Sequence, residues 1–315
     1  MVTRGGFGSP VFILRDSMPD ILEAPAKINL SLRILGLRAN GYHELESLFV
    51  PVAGLADTLE VSPGAPGSGC LVTPELPDTP AEKNLVFRAW KAYAQATGKA
   101  PDVQVRLTKR IPTGAGLGGG SSDAAAMLRW LQAQGGGQAL PQADLGRLAA
   151  GIGADVPFFL QDGPAWGRGI GDELTPVALD LSAFTLLLVL PPVHVSTAWA
   201  YGAWDDHARR QPDARDCSEG LTTLASTHKR RGSLSPVVVQ NDFEAVVFPV
   251  HPALRVQKER LLEMGAAAAV MSGSGAGLAA LFRERRMALE AADVLRTNGL
   301  PVHIEALRKW GVAKR

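Results

Sequence analysis

Between Pro112 and Leu128 the chain reads PTGAGLGGGSSDAAAML, five glycines followed by two serines, an aspartate and a run of alanines. Glycine lets the backbone turn where a side chain would obstruct it, and alanine favours helix. The start of a helix carries about half a positive charge and several unpaired amides, so a glycine loop feeding one lets main-chain N–H groups close around a phosphate. Ser121 and Ser122 add hydroxyl donors. The chemistry that suits this stretch is the holding of a phosphorylated ligand. A flexible turn capped by serine is the alternative that the residues alone leave open.

Three familiar glycine loops do not fit. A Walker loop needs Lys followed by Ser or Thr after its last glycine, whereas Gly120 is followed by Ser121 and Ser122. Gly114, Gly116 and Gly119 satisfy G-x-G-x-x-G. The dinucleotide version also needs a strand ending in an acidic residue about twenty positions on, and GGGQALPQAD is no strand. The HRD and DFG signatures of protein kinases are absent.

The elements around the loop are legible from periodicity. Ala24 to Leu32 alternates, with Ala24, Ala26, Ile28, Leu30 and Leu32 on one face and Lys27, Asn29 and Ser31 on the other, which predicts a strand with a polar face. Leu45 to Val52 predicts a second strand, and the Pro- and Gly-rich residues 62–80 predict turns or a hairpin. A helix over Leu85–Ala96 and a strand from Val103 to Ile111 precede the loop. Ser121, Ser122 or Asp123 is expected to cap a helix over Ala124–Gln134, ended by Gly135 to Gly137. A second helix, Gln142–Gly151, leads into GADVPFFL.

Phe184–Leu190 reads as a buried strand, and polar residues 203–233, carrying HKRRG, as a long surface excursion. Thereafter helix Leu254–Met264, strands Ala267–Met271 and Leu278–Phe282 joined by SGSGAG, helix Arg285–Asn298 and strand Val302–Leu307 alternate.

Bulk properties narrow the classes. A formal charge of +1 over 315 residues gives no electrostatic footprint for nucleic acid or an anionic membrane, and the length suits two domains. Cys70 and Cys217 are the only cysteines, which leaves no disulfide framework and no zinc pattern and fits a reducing cytoplasm. No run of eighteen apolar residues appears. Residues 1–17 read as a disordered lead or an extended start ahead of Met18.

The order Pro-x-Gly-x-Gly-Leu-Gly-x-x-Ser-Ser before a small-residue helix resembles the phosphate loop of the galactokinase, homoserine kinase, mevalonate kinase and phosphomevalonate kinase (GHMP kinase) superfamily. An early lysine-bearing strand and a late glycine turn, Ser272 to Gly277, are its further landmarks; a plain tight hairpin is the alternative for the latter. Within that superfamily, APAKINLSLRILGLRANGYHELESLF, GADVPFFL, NDFE and MSGSGAGL resemble the 4-diphosphocytidyl-2-C-methyl-D-erythritol kinases, from about Ala24 to the final strand.

The resemblance implies an α+β fold of two domains with the active site in the cleft between them. The expected divisions are a lead over 1–20, an N-terminal ATP and phosphate-loop domain over 21–172, and a C-terminal ferredoxin-like domain over 173–315. It implies Lys27 and Asp155 as the catalytic pair and Asn29 at the acceptor. ATP would be held by Pro112, Gly114, Gly116, Leu117, Gly118, Gly119, Gly120, Ser121 and Ser122, with Asn84 and Lys109 near the adenine. Mg2+ is expected to be held mainly by the ATP phosphates, with no protein metal cage.

The partner implied is a small molecule, a cytidine diphosphate-linked methylerythritol, with neither nucleic acid nor membrane, and the location cytoplasmic. Tyr42 and His43 would meet the cytosine, with Thr197 in the same wall and Tyr201 as a second ring in a following turn; Trp199 and Trp204 compete for that place. Phosphoryl transfer to an alcohol suits such a set, because it needs a carboxylate within reach of the hydroxyl and a cation against developing negative charge. Acceptors such as homoserine, mevalonate or a sugar are the alternative within the superfamily, against which GYHE argues. A nucleotide-binding regulator without catalysis is another, against which the joint presence of Lys27 and Asp155 argues.

Overall fold

The computed structural model describes residues 18–74, 80–136, 139–210, 222–230 and 233–311. Its chain begins with two long antiparallel strands, β1 (Asp20–Leu37) and β2 (His43–Pro63), followed by β3 (Cys70–Thr73), α1 (Leu85–Thr97) and β4 (Val103–Thr108). The helices α2 (Gly119–Gln134) and α3 (Gln142–Ile152) come next, then β5 (Ala165–Arg168), β6 (Glu173–Pro176), β7 (Ala178–Asp180) and β8 (Thr185–Val189). The remainder holds α4 (Thr197–Arg210), β9 (Thr222–Arg230), β10 (Ser233–Asn241), α5 (Glu244–Val250), α6 (Pro252–Glu263) and β11 (Ala268–Met271). It closes with β12 (Leu278–Phe282), α7 (Arg285–Thr297), β13 (Val302–Ala306) and β14 (Lys309–Trp310).

Two sheets lie back to back. Ten strands make the larger, in the order β14-β7-β9-β10-β1-β2-β4-β3 with the β5–β6 hairpin joined to β2. The smaller is β11-β12-β8-β13, antiparallel throughout. With its helices it follows the β-α-β-β-α-β order of a ferredoxin-like unit. Ala26, Ile28 and Leu30 of β1 pack against Leu186, Leu188 and Leu281 of the smaller sheet. The opposite side of β1, β2 and β4 is covered by α1, α2 and α3 through Leu59, Val105, Ala125 and Leu128. The far side of the smaller sheet carries α6 and α7 through Leu261, Ala291 and Leu295. The result is four layers, helix, sheet, sheet, helix.

Local chemistry explains most boundaries. In β4 the residues Val103, Val105 and Leu107 are buried and Gln104, Arg106 and Thr108 exposed, the alternation of a strand covered on one face. Helix α1 starts where the Asn84 side chain accepts from the Val86 N–H and stops at Gly98, whose φ of 72° is left-handed. Strands β1 and β2 extend beyond Ala24–Leu32 and Leu45–Val52, because covering layers continue past the segments whose apolar residues alternate cleanly. Three register shifts bend the pair, one of them between Asn29 and Ser31.

Other segments differ from the sequence reading, bear on it, or lie outside the described residues. The turn-rich segment contributes β3, paired in parallel with β4. The surface excursion is instead the end of α4 together with β9 and the start of β10; its residues 211–221, 231 and 232 lie outside the described residues. Residues 1–17 also lie outside them. The larger sheet is continuous across the 172/173 division, since β10 pairs in parallel with β1. Among the described residues no helix is long and apolar enough to cross a membrane.

Candidate active site

Lys27 points from the middle of β1 into a buried polar pocket and is only 3% exposed. Its ammonium donates to Asn29 Oδ1 at 2.7 Å, lies 3.3 Å from Asp155 Oδ2, and sits 5.3 Å from the centre of the Phe49 ring. Asn29 in turn donates through Nδ2 to Ser47 Oγ at 2.7 Å, and Ser47 donates to the Ser31 carbonyl at 2.7 Å. The polar face of β1 is therefore an internal relay, with every member satisfied. A solvated strand lysine would show none of this. Asp155 stands between α3 and the 3₁₀ turn Pro157–Leu160 and remains partly open to the cleft.

The glycine loop does not use a serine cap. Helix α2 begins at Gly119, its cap is Gly118 with φ 72°, and no side chain bonds to its opening amides. Ser121, Ser122 and Asp123 lie inside the first two turns rather than ahead of the helix. An α-helix leaves its first amides without internal partners, so the uncapped start is open to an anion. A second constraint comes from the late glycine turn. A Cβ on Gly116 would stand 1.9 Å from the Ser272 carbonyl oxygen, which leaves glycine as the residue that fits. Ser272 Oγ accepts from the Asn29 N–H at 3.2 Å and donates to the Gly116 carbonyl at 3.0 Å, while Gly277 N–H donates to Ala115 O at 3.1 Å.

The turn is held from behind. Asn241 Nδ2 donates to the carbonyls of Met271 and Gly273 at 2.6 and 2.7 Å, and Glu244 accepts from the Met271 N–H at 2.8 Å. Burial holds the Glu244 carboxyl above the usual carboxylate range, and Lys258, at 2.6 Å, offsets only part of that effect. The NDFE segment thus acts as a brace for the turn.

Two cavities meet at the loop. One, of about 780 Å³, is lined by Lys27, Asn29, Asp155, Thr197, Tyr201 and Ser274, together with Gly114, Gly116, Gly118 and Ser121. The other, of about 310 Å³, is lined by Asn84, Lys109, Pro112 and the loop from Thr113 to Ser121. Gly114, Gly116, Gly118 and Ser121 face both. Leu117 borders the smaller cavity but is only 1% exposed and packs into the core, its carbonyl accepting from the Lys27 N–H at 3.0 Å. Ser122 lines neither cavity and is fully buried. Neither side chain is therefore presented to solvent, and the contribution of Leu117 and Ser122 to the loop is through their place in its backbone. Lys109 is held by Asp57 and Asp123.

At the far end of the larger cavity the rings stack on each other. His43 and Tyr201 lie 4.6 Å apart at 21°, and Phe243 meets Tyr201 edge-on at 4.9 Å. His43 Nε2 is 2.7 Å from Asp205 Oδ1. Burial, with the Asp155 charge nearby, pushes the Tyr201 hydroxyl up to about 12, so it stays neutral. Tyr201 is on helix α4 rather than in a turn, and it faces the cavity; Trp204 is in the core and Trp199 meets His251 outside. Tyr42 is 59% exposed at the rim, and Thr197 Oγ1 is 2.9 Å from Ser274 Oγ.

Sequence reasoning missed Ser47, Phe49, Asp57 and Asp205, and named Ser272 only as the start of the late glycine turn. Ser47 and Phe49 carried a signal, since they alternate with the core residues Leu48 and Val50 and pair with β1 across from the Asn29 region. Asp57, Asp205 and Ser272 join partners that sequence distance conceals. Among the described residues no group of His, Cys, Asp and Glu gathers as a metal cage.

Comparison with known proteins agrees with this geometry. Residues 84–163 match the GHMP kinases N terminal domain and residues 226–299 the GHMP kinases C terminal family. The chain is 42% identical over 288 residues to a 4-diphosphocytidyl-2-C-methyl-D-erythritol kinase of Solidesulfovibrio magneticus, covering 91% of this chain and 96% of that one. It is 47% identical over 283 residues to the protein of the same name from Nitratidesulfovibrio vulgaris, covering 90% and 96%. A crystal structure of 4-(cytidine 5'-diphospho)-2C-methyl-D-erythritol kinase superposes with a TM-score of 0.66 at 33% identity, covering 92% of this chain and 97% of that chain. A homoserine kinase from Cytophaga hutchinsonii shares the fold, with a TM-score of 0.62 at 21% identity and coverage of 94% and 98%.

Proposed function

Because the chain belongs to the 4-diphosphocytidyl-2-C-methyl-D-erythritol kinase family, we propose that it transfers the γ-phosphoryl group of ATP to the 2-hydroxyl of 4-diphosphocytidyl-2-C-methyl-D-erythritol, a step in the non-mevalonate formation of isoprenoid precursors. The observation that carries this reading is the shared wall. Gly114, Gly116, Gly118 and Ser121 separate a cavity holding Lys27 and Asp155 from one holding Asn84 and Lys109. A triphosphate laid along that wall presents its terminal group to the first cavity while the base occupies the second.

In this reading Asp155 accepts the proton of the attacking hydroxyl, and Lys27, fixed by Asn29, offsets the negative charge that develops on the transferring group. Pro112, Gly114, Gly116 and Gly118 to Ser121 hold the nucleotide through the backbone, with Asn84 and Lys109 at its base end. Tyr42, His43, Thr197 and Tyr201 hold the cytidine end, and Asn29 sits by the acceptor hydroxyl. Magnesium would be held mainly through the ATP phosphates and water and would supply further charge neutralisation there. A division into a phosphate-loop domain and a ferredoxin-like domain near residue 172 belongs to the same proposal, and the smaller sheet supports its second half.

The test is ADP release with the cytidylylated acceptor beside mevalonate and homoserine. Turnover confined to the cytidylylated compound is expected. Turnover confined to mevalonate or homoserine would replace the acceptor with another of the superfamily, and nucleotide binding with no ADP release on any acceptor would leave a regulator.

A further inference from the structure

Beneath the phosphate loop Lys109 belongs to a buried ionic cluster, and one member of it, Asp57, has no part in the reading just given. Asp57, on β2, is 0% exposed. Its Oδ1 accepts from the amides of Arg110 and Ile111 at 2.5 and 2.8 Å, the two residues by which the chain enters the loop. Its Oδ2 accepts from the Lys109 ammonium, which also donates to Asp123 Oδ2 at 2.7 Å. Asp123 belongs to the opening turns of α2, where the chain leaves the loop. One ammonium and two carboxylates thus tie the entry of the loop to its exit. Asp57 also lies directly below it, since a Cβ on Gly119 would stand 3.2 Å from Asp57 Oδ2.

Lys109 and Asp123 line the 310 Å³ cavity, whereas Asp57 does not. Any influence of Asp57 on a ligand there must pass through Lys109 and the two amides. Buried charges are costly unless paired, and a charge held in place by others needs no reorganisation when a ligand arrives.

We propose that Asp57 is a positioning residue for the nucleotide, fixing both the Lys109 ammonium and the path of the phosphate loop. The proposal rests on reading the smaller cavity as the nucleotide site. Asp57→Asn keeps an oxygen for the amides but loses the charge that holds Lys109, and a hydrogen bond to a charged group is worth about 10- to 100-fold in an equilibrium. Asp57→Asn is expected to raise the KM for ATP about tenfold or more and leave the acceptor KM within about twofold. In a Lys109→Gln background the same change is expected to add less than about threefold, because the pair acts as a unit.

Hydrogen exchange on the wild-type protein with a non-hydrolysable ATP analogue tests the premise separately. Protection over residues 109–121 upholds the nucleotide site, and its absence sinks that reading. With protection present, an ATP KM within twofold of wild type, equal rises in both KM values, or full additivity with Lys109→Gln overturns the role of Asp57. Circular dichroism reports whether Asp57→Asn is folded; where it is not, Asp123→Asn probes the cluster from the helix end, and an unchanged ATP KM there overturns the proposal equally.

Discussion

Lys27 Nζ stands 3.3 Å from Asp155 Oδ2, although β1 and the turn after α3 are more than a hundred residues apart in the chain. The pair is asymmetric. The lysine side chain is 4% exposed and the aspartate 32%, so the cation is held by the protein while the carboxylate is presented to the cleft. A carboxylate placed in this way can take a proton from a hydroxyl bound beside it. Asp155→Asn is expected to lower kcat by about 10²- to 10⁴-fold with ATP affinity within about threefold of wild type, as for loss of a general base. Steady-state kinetics with isothermal titration of nucleotide would decide it, and near-normal turnover would remove Asp155 from the role.

Gly116 leaves no room for a side chain. With φ at 72° and the Ser272 carbonyl 1.9 Å from where a Cβ would be, Gly116→Ala must displace the late turn or the loop. Strain of this kind costs of order 1–3 kcal/mol before the clash is counted. Gly146→Ala is the contrasting case, in mid-helix on α3 with nothing within 4 Å of the added carbon, and should gain about 0.5–1 kcal/mol. Urea denaturation of the two variants should move the midpoint in opposite directions. A Gly116→Ala protein as stable as wild type would show that the turn yields easily.

The stacked His43 and Tyr201 rings face the cavity that we assign to the cytidine end. Loss of one aromatic platform costs about 1–3 kcal/mol per base. Tyr201→Ala is therefore expected to raise the acceptor KM roughly 5- to 150-fold and leave the ATP KM unaltered. Tyr201→Phe, which keeps the ring, should stay near wild type. If both KM values rise together, the ring supports the cleft as a whole rather than a pyrimidine.

Asp123 gives a pH signature. Burial raises its carboxyl from an ordinary 3.8 to about 7, and the Lys109 charge offsets only part of the effect. Between those two values the folded chain keeps a proton that the unfolded chain has released. Stability from this group accordingly falls as pH rises through the window and levels off above it. Asp123→Asn removes the slope, so its stability relative to wild type should increase from pH 4 to pH 7. Denaturation curves at pH 4.5, 6 and 8 measure the difference; a constant offset at all three would mean that Asp123 titrates elsewhere.

The parts of this molecule that were legible in the sequence are those whose chemistry is local. The glycine loop, helix α1 with Asn84 and Gly98 at its ends, the alternation of β4 and the run of elements from α6 to β13 all depend on residues a few positions apart. Lys27 and Asn29, with Ser31, were legible as the polar face of an alternating strand, whereas their expected roles came from the family resemblance. Features built from distant partners were hidden. Asp57 meets Lys109 across 52 positions, and Asn29 meets Ser272 across 243. The serine cap failed for a different reason. Side chains suited to capping were present, but a left-handed glycine ended the loop three residues earlier and moved the helix start with it.

Ser31 and Leu32 of β1 find their parallel partners in Gln240 and Asn241. During synthesis the strand carrying the lysine must therefore wait, one edge bare, until some two hundred further residues have left the ribosome. An unpaired edge recruits strands from other chains. Nascent or truncated copies ending before β10 should associate with one another and be ready clients for chaperones, which makes completion of the larger sheet a late, concentration-sensitive event in the life of each molecule.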